Sequence, residues 1–486
     1  MSGADCSGGN AASGDGAAAG HGARLYLGAG HQGAIVAGAQ QAVLVLGPPR
    51  SGKTSAIVVP TVLGSDAPVV STSTKPDVLS VTAASRRRRG PCLLYDPSGE
   101  VPAPPGVERV GWSPVTGCEQ WDTALLRAQS MVGATRSRPG RADASDHWSE
   151  RAGALLAPLL HAAAVQGEPL STVLSWIDRR QAAPALRTLD DAGSTVPGDV
   201  LAGIAATDAR ELSAIWSTAS GVLAAYRSEA ALATTLTREF DAAAFCRSAS
   251  TLYICATGRH QALTAPLVVG LLSEVRASAY DAHMRAAGSA APRPSPVVLA
   301  LDEVANIAPL PDLPAMVSEG GSQGVVTMAC LQDLSQARVR WGEAAEGFLS
   351  LFGTTVVLPG IGDVRTLETL SALAGVGEVA TRSISEPVSA VAGEGAMVRR
   401  LVAAAAGRRR GFDPGRPTVT TSMRNEPRLP VDVVGRGRPG MAVVVDERNR
   451  VGWVRLTPWF AHEPWRSMAL GRGREQDREV GRGLTG

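Results

Sequence analysis

Residues Gln41 to Pro60 read QAVLVLGPPRSGKTSAIVVP: an apolar run, a loop bounded by glycines, and a second apolar run. The loop, GPPRSGKT from Gly47 to Thr54, fits the pattern GxxxxGK[ST] without a gap. A strand before such a loop and a helix after it are the context that this pattern requires. A chance match in a chain with 54 glycines is the alternative, and the two flanking runs argue against it. The sequence therefore predicts a nucleotide-binding site.

The chemistry of a nucleotide explains the spacing of this loop. Gly47 and Gly52 let the backbone curl so that successive N–H groups point at phosphate oxygens, and the following helix adds its positive end. Lys53 is predicted to reach the β- and γ-phosphates of ATP, and the Thr54 hydroxyl to bind Mg²⁺. The predicted nucleotide-binding residues are Gly47, Pro48, Pro49, Arg50, Ser51, Gly52, Lys53, Thr54 and Ser55.

Short apolar runs alternate with helical patterns on both sides of the loop. This rhythm is typical of βαβ units and a parallel sheet. The predicted fold class is therefore α/β, a P-loop domain with a mainly parallel central sheet. Strands are predicted at 67–71, 91–95, 251–256, 296–301, 325–331 and 354–358, with a late β-pair at 441–445 and 451–456.

From about residue 120 the pattern changes to Ala- and Leu-rich segments at helical spacing. We predict an all-α insertion domain over 120–245, which divides the nucleotide-binding domain into 23–119 and 246–466. Three further segments are predicted to be flexible because they are rich in Gly and Ala or lack an apolar pattern. They are an N-terminal segment at 1–22, a basic segment at 386–428 and a tail at 467–486.

A second motif follows the strand predicted at 296–301, which ends in Asp302-Glu303. Opposite a glycine loop, the first carboxylate holds Mg²⁺ and the second polarises the attacking water. Gln332 follows the next strand, and since strand ends in such sheets point at the ligand, it is placed to sense the γ-phosphate or orient water. An ordinary acidic turn and a surface glutamine are the alternatives.

Composition limits the classes of function. The formal net charge is only +2, so any binding of nucleic acid has to rest on local basic patches. The six cysteines form no CxxC pair, which indicates reduced thiols rather than a disulfide framework or a zinc site. No apolar run approaches the roughly 18–20 residues of a membrane span, and the N-terminus lacks the features of a signal peptide. A cytoplasmic location is expected.

With both nucleotide motifs in place, the chain resembles the conjugative coupling proteins, the TraG/TraD-like ATPases of type IV secretion. The resemblance runs from about residue 40 to 465. It is carried by GPPRSGKTSAIVVPTVL, STSTKPD, LDEVANIAPLPDLPAMVSEGGSQGV and CLQDLSQARVRWG, of which the last two are far more specific than either nucleotide motif. The positions that match the family's functional residues are Gly47, Gly52, Lys53, Thr54, Asp302, Glu303 and Gln332.

The resemblance implies a RecA-like motor with an all-α domain, assembling as a homo-hexamer around DNA. Such proteins recruit a relaxase-bound single strand, or effector proteins, and use ATP to feed it to membrane-embedded secretion components. Lys53, Glu303 and Gln332 would be catalytic, and Thr54 and Asp302 would hold Mg²⁺. The DNA contacts would be sequence-tolerant. The candidates for them are Arg136, Arg138 and Arg141.

Two departures from the family pattern affect these expectations. Family members usually carry an N-terminal transmembrane anchor, and none is seen in this chain, so a membrane partner would hold it at the inner face of the cell membrane. Family members often have an arginine after the PxLP stretch, whereas residues 319–324 read EGGSQG. Arg338 and Arg340 are the candidate substitutes for this arginine.

Two other functions remain open. A nucleotide-gated substrate receptor with little ATP turnover is favoured by the missing arginine and opposed by the intact Lys53, Asp302 and Glu303. A double-stranded DNA translocase is opposed by the PLPDLP and LQDLSQ blocks.

Overall fold

A twelve-stranded sheet runs through the computed structural model, which describes residues 22–31, 33–135, 142–287, 293–385 and 418–471. A separate pair of strands forms a two-stranded ribbon. In chain order the strands are β1 (Tyr26–Gly30), β2 (Gly33–Val36), β3 (Val43–Leu46), β4 (Val69–Ser73), β5 (Cys92–Tyr95), β6 (Glu108–Arg109), β7 (Thr251–Cys255), β8 (Val297–Leu301), β9 (Val325–Leu331), β10 (Thr354–Val357), β11 (Val376–Ser385), β12 (Thr418–Pro427), β13 (Met441–Val445) and β14 (Val451–Arg455).

The large sheet has a parallel centre and an antiparallel edge. Its order is β2-β1-β14-β13-β10-β3-β9-β8-β4-β7-β5-β6, and the pairs from β10 to β6 are parallel. Leu46 at the end of β3 lies opposite Leu331 at the end of β9, and Leu301 at the end of β8 lies opposite Ala329. The carboxyl ends of these three strands therefore lie side by side, which is where ligands bind in open α/β sheets.

Alternation along β3 shows why the sheet is buried on both faces. Leu44 and Leu46 pack into a core on one face, while Val43 and Val45 pack into a second core on the other. Successive side chains of a strand point to opposite faces, so a continuous apolar run requires cover on both sides.

Helices provide this cover. A π-helical turn, Thr54–Val58, continues directly into the first α-helix. The α-helices are α1 (Val59–Gly64), α2 (Asp77–Arg86), α3 (Trp121–Ala134), α4 (Ala142–Gln166), α5 (Leu170–Asp178), α6 (Ala183–Asp191), α7 (Thr195–Ala205), α8 (Ala209–Val222), α9 (Glu229–Ala233), α10 (Ala242–Cys246), α11 (Gln261–Ala287), α12 (Val304–Ile307), α13 (Leu313–Glu319), α14 (Leu334–Trp341), α15 (Phe348–Leu351), α16 (Val364–Ala374), α17 (Val431–Arg436) and α18 (Trp465–Ala469).

Among the helices α3 to α10, α4 contacts α3, α5, α6, α7 and α8, and α10 contacts α11. They share one hydrophobic core with α11 and one face of the sheet. The predicted limits of an all-α insertion domain, 120–245, stay a prediction.

Among the described residues, α11 is long and apolar enough to cross a membrane by length and composition, and 61% of its most apolar window is buried inside the protein.

Two segments predicted to be flexible are partly ordered. Residues 418–427, within the predicted segment 386–428, form β12. This strand pairs antiparallel with β11, with Thr418 opposite Ser385 at one end and Pro427 opposite Val376 at the other. The β-branched run Thr418 to Thr421 suits a strand. The predicted tail 467–486 begins too early, because 467–469 belong to α18, which is anchored by Trp465 against Tyr26 with ring centroids 5.2 Å apart. Residues 1–21, 386–417 and 472–486 lie outside the described residues.

Arg86 is fully buried at the end of α2, although it belongs to a run of four arginines, Arg86 to Arg89. Burial, followed by the charge of Arg89, lowers the pKa of Arg86 to about 10, so it remains a cation at neutral pH. Its guanidinium ties α2 to the segments that precede β4 and begin β7. It donates to the carbonyl oxygens of Ser65, Ala67, Ala249 and Ser250 and to the hydroxyl of Thr251.

Replacing this arginine should destabilise the fold strongly. Arg86→Met leaves several buried acceptors without a donor, and since each costs about 1–3 kcal/mol, the free energy of unfolding should fall by at least about 3 kcal/mol. Urea unfolding measures this change. The matched control is Arg88→Met on the exposed side of the same run, which should stay within about 0.5 kcal/mol of wild type. Equal effects of the two substitutions would contradict the structural role of Arg86.

Candidate functional site

The phosphate loop, residues 47–54, connects the end of β3 to the helical segment that begins at Thr54. The N–H of Gly47 donates to the carbonyl of Leu331 on β9 at 3.2 Å. A Cβ added at Gly47 would lie 2.8 Å from the Ser51 Oγ and 2.9 Å from the Leu358 Cβ. Gly52 has a φ of +98°, a conformation that favours glycine. Close packing therefore requires a glycine at position 47, and the backbone conformation requires a glycine at position 52.

The side chain of Lys53 lies inside this loop and is only 8% exposed. Its Nζ donates to the carbonyl oxygens of Gly47 and Pro48, the latter at 3.0 Å. The lysine is thus held by its own loop, at the place where phosphate oxygens bind in loops of this type.

The predicted metal ligands, 248 residues apart in sequence, are in direct contact. The Thr54 hydroxyl donates to the Asp302 carboxylate at 2.6 Å. The hydroxyl of Thr72 on β4 donates to the backbone carbonyl of Asp302 at 3.1 Å and fixes the tip of β8. The sequence did not single out Thr72 for this role.

Asp302 is 5% exposed. Burial is the largest influence on its carboxyl group and raises its pKa, and the neighbouring charge of Glu303 acts in the same direction. The hydrogen bond from Thr54 and the charge of Lys53 oppose this shift without cancelling it. The site therefore favours either a proton or a cation at this carboxylate.

Glu303 lies at the tip of β8 with a left-handed backbone, φ 53° and ψ 47°. Such a conformation costs a residue other than glycine about 1–2 kcal/mol, and strain of this kind clusters at functional sites. The side chain is half-buried, and Asn306 Nδ2 donates to its Oε2 at 3.4 Å. Neither the left-handed backbone nor the Asn306 contact was predicted from the sequence.

Gln332 follows β9, the strand that lies between β3 and β8. Its backbone N–H donates to Gln336 Oε1 at 3.0 Å, and Asp333 caps the start of α14. The Gln332 side chain is exposed and makes no hydrogen bond with another described residue. The structure thus brings this glutamine to the sheet edge that carries the phosphate loop and Asp302.

The two arginines proposed as substitutes for the missing family arginine both have partners in their own chain. Arg338 forms an ion pair with Asp363 at 2.8 Å, and Arg340 Nε donates to the carbonyl of Ala305 at 3.1 Å. Although burial alone would raise it, hydrogen bonds from Thr366 and Arg338 hold the pKa of Asp363 below its usual value. The candidate DNA contacts Arg136, Arg138 and Arg141 lie outside the described residues.

The chemistry of the loop fits a nucleotide with a magnesium ion. The Ser51 Oγ is buried and has no hydrogen-bond partner among the described residues, as expected of a group whose partner is a ligand. The first turn of the following helix offers N–H donors to an anion. The hydroxyl of Thr54 and the carboxylate of Asp302 are oxygen ligands of the kind that Mg²⁺ prefers.

Comparison with known proteins finds a matching family model and solved structures of similar fold. Residues 10–395 match the family model described as type IV secretory system conjugative DNA transfer. The bacterial conjugative coupling protein TrwBdeltaN70, in its unbound monoclinic form, matches with a TM-score of 0.61 at 17% identity, covering 86% of this chain and 85% of that chain.

Two nucleotide complexes of TrwB match in the same way. The complex with the non-hydrolysable ATP analogue ADPNP has a TM-score of 0.59 at 17% identity and covers 86% of each chain. The complex with ADP and Mg²⁺ has a TM-score of 0.58 at 17% identity, covering 86% of this chain and 85% of that chain. No curated protein sequence matches the chain significantly. The predicted fold class, a RecA-like P-loop fold with a mainly parallel sheet, is confirmed.

Proposed function

Because the chain belongs to the type IV secretory system conjugative DNA transfer family, we propose that it is an ATP-dependent coupling protein that moves DNA toward a secretion channel. The predicted kinship with TraG/TraD-like proteins is confirmed by the family match. The observation that carries the enzymatic part of the proposal is the 2.6 Å contact between Thr54 and Asp302 beside a buried Lys53.

ATP and Mg²⁺ are the proposed ligands, supported by the TrwB structures with ADPNP and with ADP and Mg²⁺. Lys53 would exchange its two loop carbonyls for phosphate oxygens. Thr54 and Asp302 would hold the magnesium ion, which neutralises charge on the phosphates when bound. Ser51 and the N–H groups of the loop would orient the phosphate chain.

Glu303 is the proposed general base. Its half-buried carboxylate, next to Asp302 and steadied by Asn306, would accept a proton from the attacking water. Gln332, at the end of the strand between β3 and β8, would orient that water or report the presence of the γ-phosphate.

The proposed partners follow from the family description, which names conjugative DNA transfer. We expect a homo-hexamer that receives a relaxase-bound single strand, or an effector protein, and delivers it to membrane-embedded secretion components. The proposed location is the cytoplasm, at the inner face of the membrane through a partner. The basic residues Arg136, Arg138 and Arg141 remain the candidate DNA contacts.

The test is ATP hydrolysis by the purified full chain without DNA, with single-stranded DNA and with double-stranded DNA of equal length. The coupling function predicts that single strands raise turnover most, since stacking and backbone contacts with flexible single strands are sequence-tolerant. Lys53→Ala should remove both basal and stimulated turnover. Greater stimulation by duplex DNA would indicate a double-stranded DNA translocase instead.

The second candidate function is a nucleotide-gated substrate receptor with little ATP turnover. It is favoured because Arg338 and Arg340 both bind groups of their own chain. An ATPase ring gains a large rate factor from an arginine supplied to a neighbour's nucleotide, and neither of these arginines is free to serve in the structure. ATP binding without turnover on any DNA would support the receptor and overturn the autonomous motor.

A further inference from the structure

Arg50 occupies a position in the phosphate loop where glycine is expected. The N–H of Ser51 donates to the carbonyl of Pro48 at 3.3 Å, which closes a four-residue turn. Pro49 holds the second position of the turn at a φ near −65°, and Arg50 at the third has a φ of +64°. This is the pattern of a type II turn, whose third residue is usually glycine because its backbone is left-handed.

The loop uses glycine elsewhere for the same backbone requirement. Gly52, two residues later, has a φ of +98°. A glycine at position 50 would satisfy the turn without strain, so the backbone does not account for an arginine. Residues other than glycine that are held in left-handed conformations cluster at ligand sites. The side chain of Arg50 is therefore the feature that needs an explanation.

This side chain is exposed and makes no hydrogen bond or ion pair with any other described residue. Arg86, Arg338 and Arg340 contrast with it, because each is held by carbonyl or carboxylate groups of its own chain. A guanidinium offers five donors in a planar fork that matches phosphate oxygens. Since the loop backbone cradles the phosphates, a long side chain from its middle starts within reach of them.

We propose that Arg50 binds the terminal phosphate of the nucleoside triphosphate and so makes the site selective for triphosphate over diphosphate. This inference rests on the proposed nucleotide-binding function and extends it. The guanidinium donates hydrogen bonds to oxygens of the γ-phosphate. It also stabilises the charge on these oxygens during hydrolysis, as an arginine supplied by the same chain.

The experiment compares Arg50→Gly with a matched control. Arg180 is also an exposed arginine with a left-handed backbone, φ +54°, and lies after α5 with its side chain on Ser213. Arg180→Gly therefore makes the same chemical change and relieves the same kind of strain away from the phosphate loop. The affinities of both variants and of wild type for a non-hydrolysable ATP analogue and for ADP are measured by titration in the presence of Mg²⁺.

Arg50→Gly should weaken binding of the analogue about tenfold to a hundredfold, as expected for loss of one charge-assisted contact, and should leave ADP affinity nearly unchanged. Its kcat for ATP should fall by a similar factor, while the thermal midpoint should not fall. Arg180→Gly should alter neither affinity. Equal weakening of both nucleotides, or no change in either, would overturn the γ-phosphate contact.

Failure of the proposed nucleotide-binding function would give a different result from failure of the inference about Arg50. Lys53→Ala should bind neither nucleotide, because Lys53 is predicted to contact the β-phosphate, which ATP and ADP share. If wild type binds neither nucleotide, the nucleotide-binding function itself fails. If wild type binds both and Arg50→Gly keeps the wild-type preference, only the inference about Arg50 fails.

Discussion

Glu303→Gln is expected to lower the kcat of ATP hydrolysis by at least about a hundredfold while nucleotide affinity stays within about twofold of wild type. The amide has almost the shape of the carboxylate and can keep the contact with Asn306, which lies 3.4 Å from Oε2. It cannot accept a proton from water at neutral pH. The chemical step should therefore be lost while the Lys53 and Asp302 contacts are kept.

The measurement is steady-state hydrolysis together with a nucleotide titration on the same protein. Glu319→Gln is the control, since it removes the same charge from an exposed glutamate in the segment 319–324, and it should leave kcat unchanged. DNA transfer should fall together with hydrolysis in Glu303→Gln. A variant that retains transfer without hydrolysis would contradict the motor and favour the nucleotide-gated receptor.

The left-handed backbone of Glu303 adds a second expectation for this variant. Because glutamine has the same backbone strain, Glu303→Gln should have a thermal midpoint close to that of wild type. A large fall in stability would show that the carboxylate also holds the tip of β8 in place. The loss of turnover would then have a structural cause, so the unfolding measurement belongs beside the kinetic one.

Local patterns predicted the centre of the fold well. The predicted limits of β9, 325–331, agree with the structure because a continuous apolar run bounded by polar residues is typical of a strand buried on both faces. The glycine loop follows β3 and the Asp-Glu pair follows β8, and both strands pair in parallel with β9, so their carboxyl ends lie at the same end of the sheet. The two motifs thus predicted that these residues would lie opposite each other, whereas the strand order is known only from the structure.

The features that sequence reasoning missed depend on tertiary packing. Arg86 belongs to a run of arginines that looks like a solvated helix end, and only the packing of α2 against the sheet buries it. The strand β12 reads TVTTSMRNEP, and its residues 421–427 are exposed, so no regular alternation of apolar residues marks it in the sequence. The partner of Arg338 lies 25 residues away on another element. Local pattern does not indicate any of these contacts.

Asp302→Asn is expected to reduce Mg²⁺-dependent ATP hydrolysis by about a hundredfold or more, because a carboxylate ligand of the proposed cation becomes a neutral amide. The amide oxygen can still accept the hydrogen bond from Thr54, which is 2.6 Å long in the wild-type protein. The variant should therefore fold. Removing a charged group that burial disfavours should leave the thermal midpoint equal to that of wild type or higher.

The pH dependence of the Mg²⁺ requirement of the wild-type protein tests the role of the Asp302 carboxylate independently. Since the pKa of Asp302 is raised, mainly by burial, lowering the pH protonates it earlier than an ordinary aspartate. A neutral carboxyl binds cations poorly, so the Mg²⁺ concentration for half-maximal activity should rise as the pH falls through this raised pKa. Saturating Mg²⁺ should suppress the effect, because the cation competes with the proton.

A Mg²⁺ titration of ATP hydrolysis at several pH values tests both expectations at once. Wild type should show a Mg²⁺ requirement that increases toward acid pH, and residual activity of Asp302→Asn should lack that trend. Asp122→Asn, on the exposed side of α3, should behave as wild type. If Asp302→Asn kept the wild-type Mg²⁺ requirement, Asp302 would not be a metal ligand. Its contact with Thr54 would then serve only to fasten β8 to the start of the phosphate-loop helix.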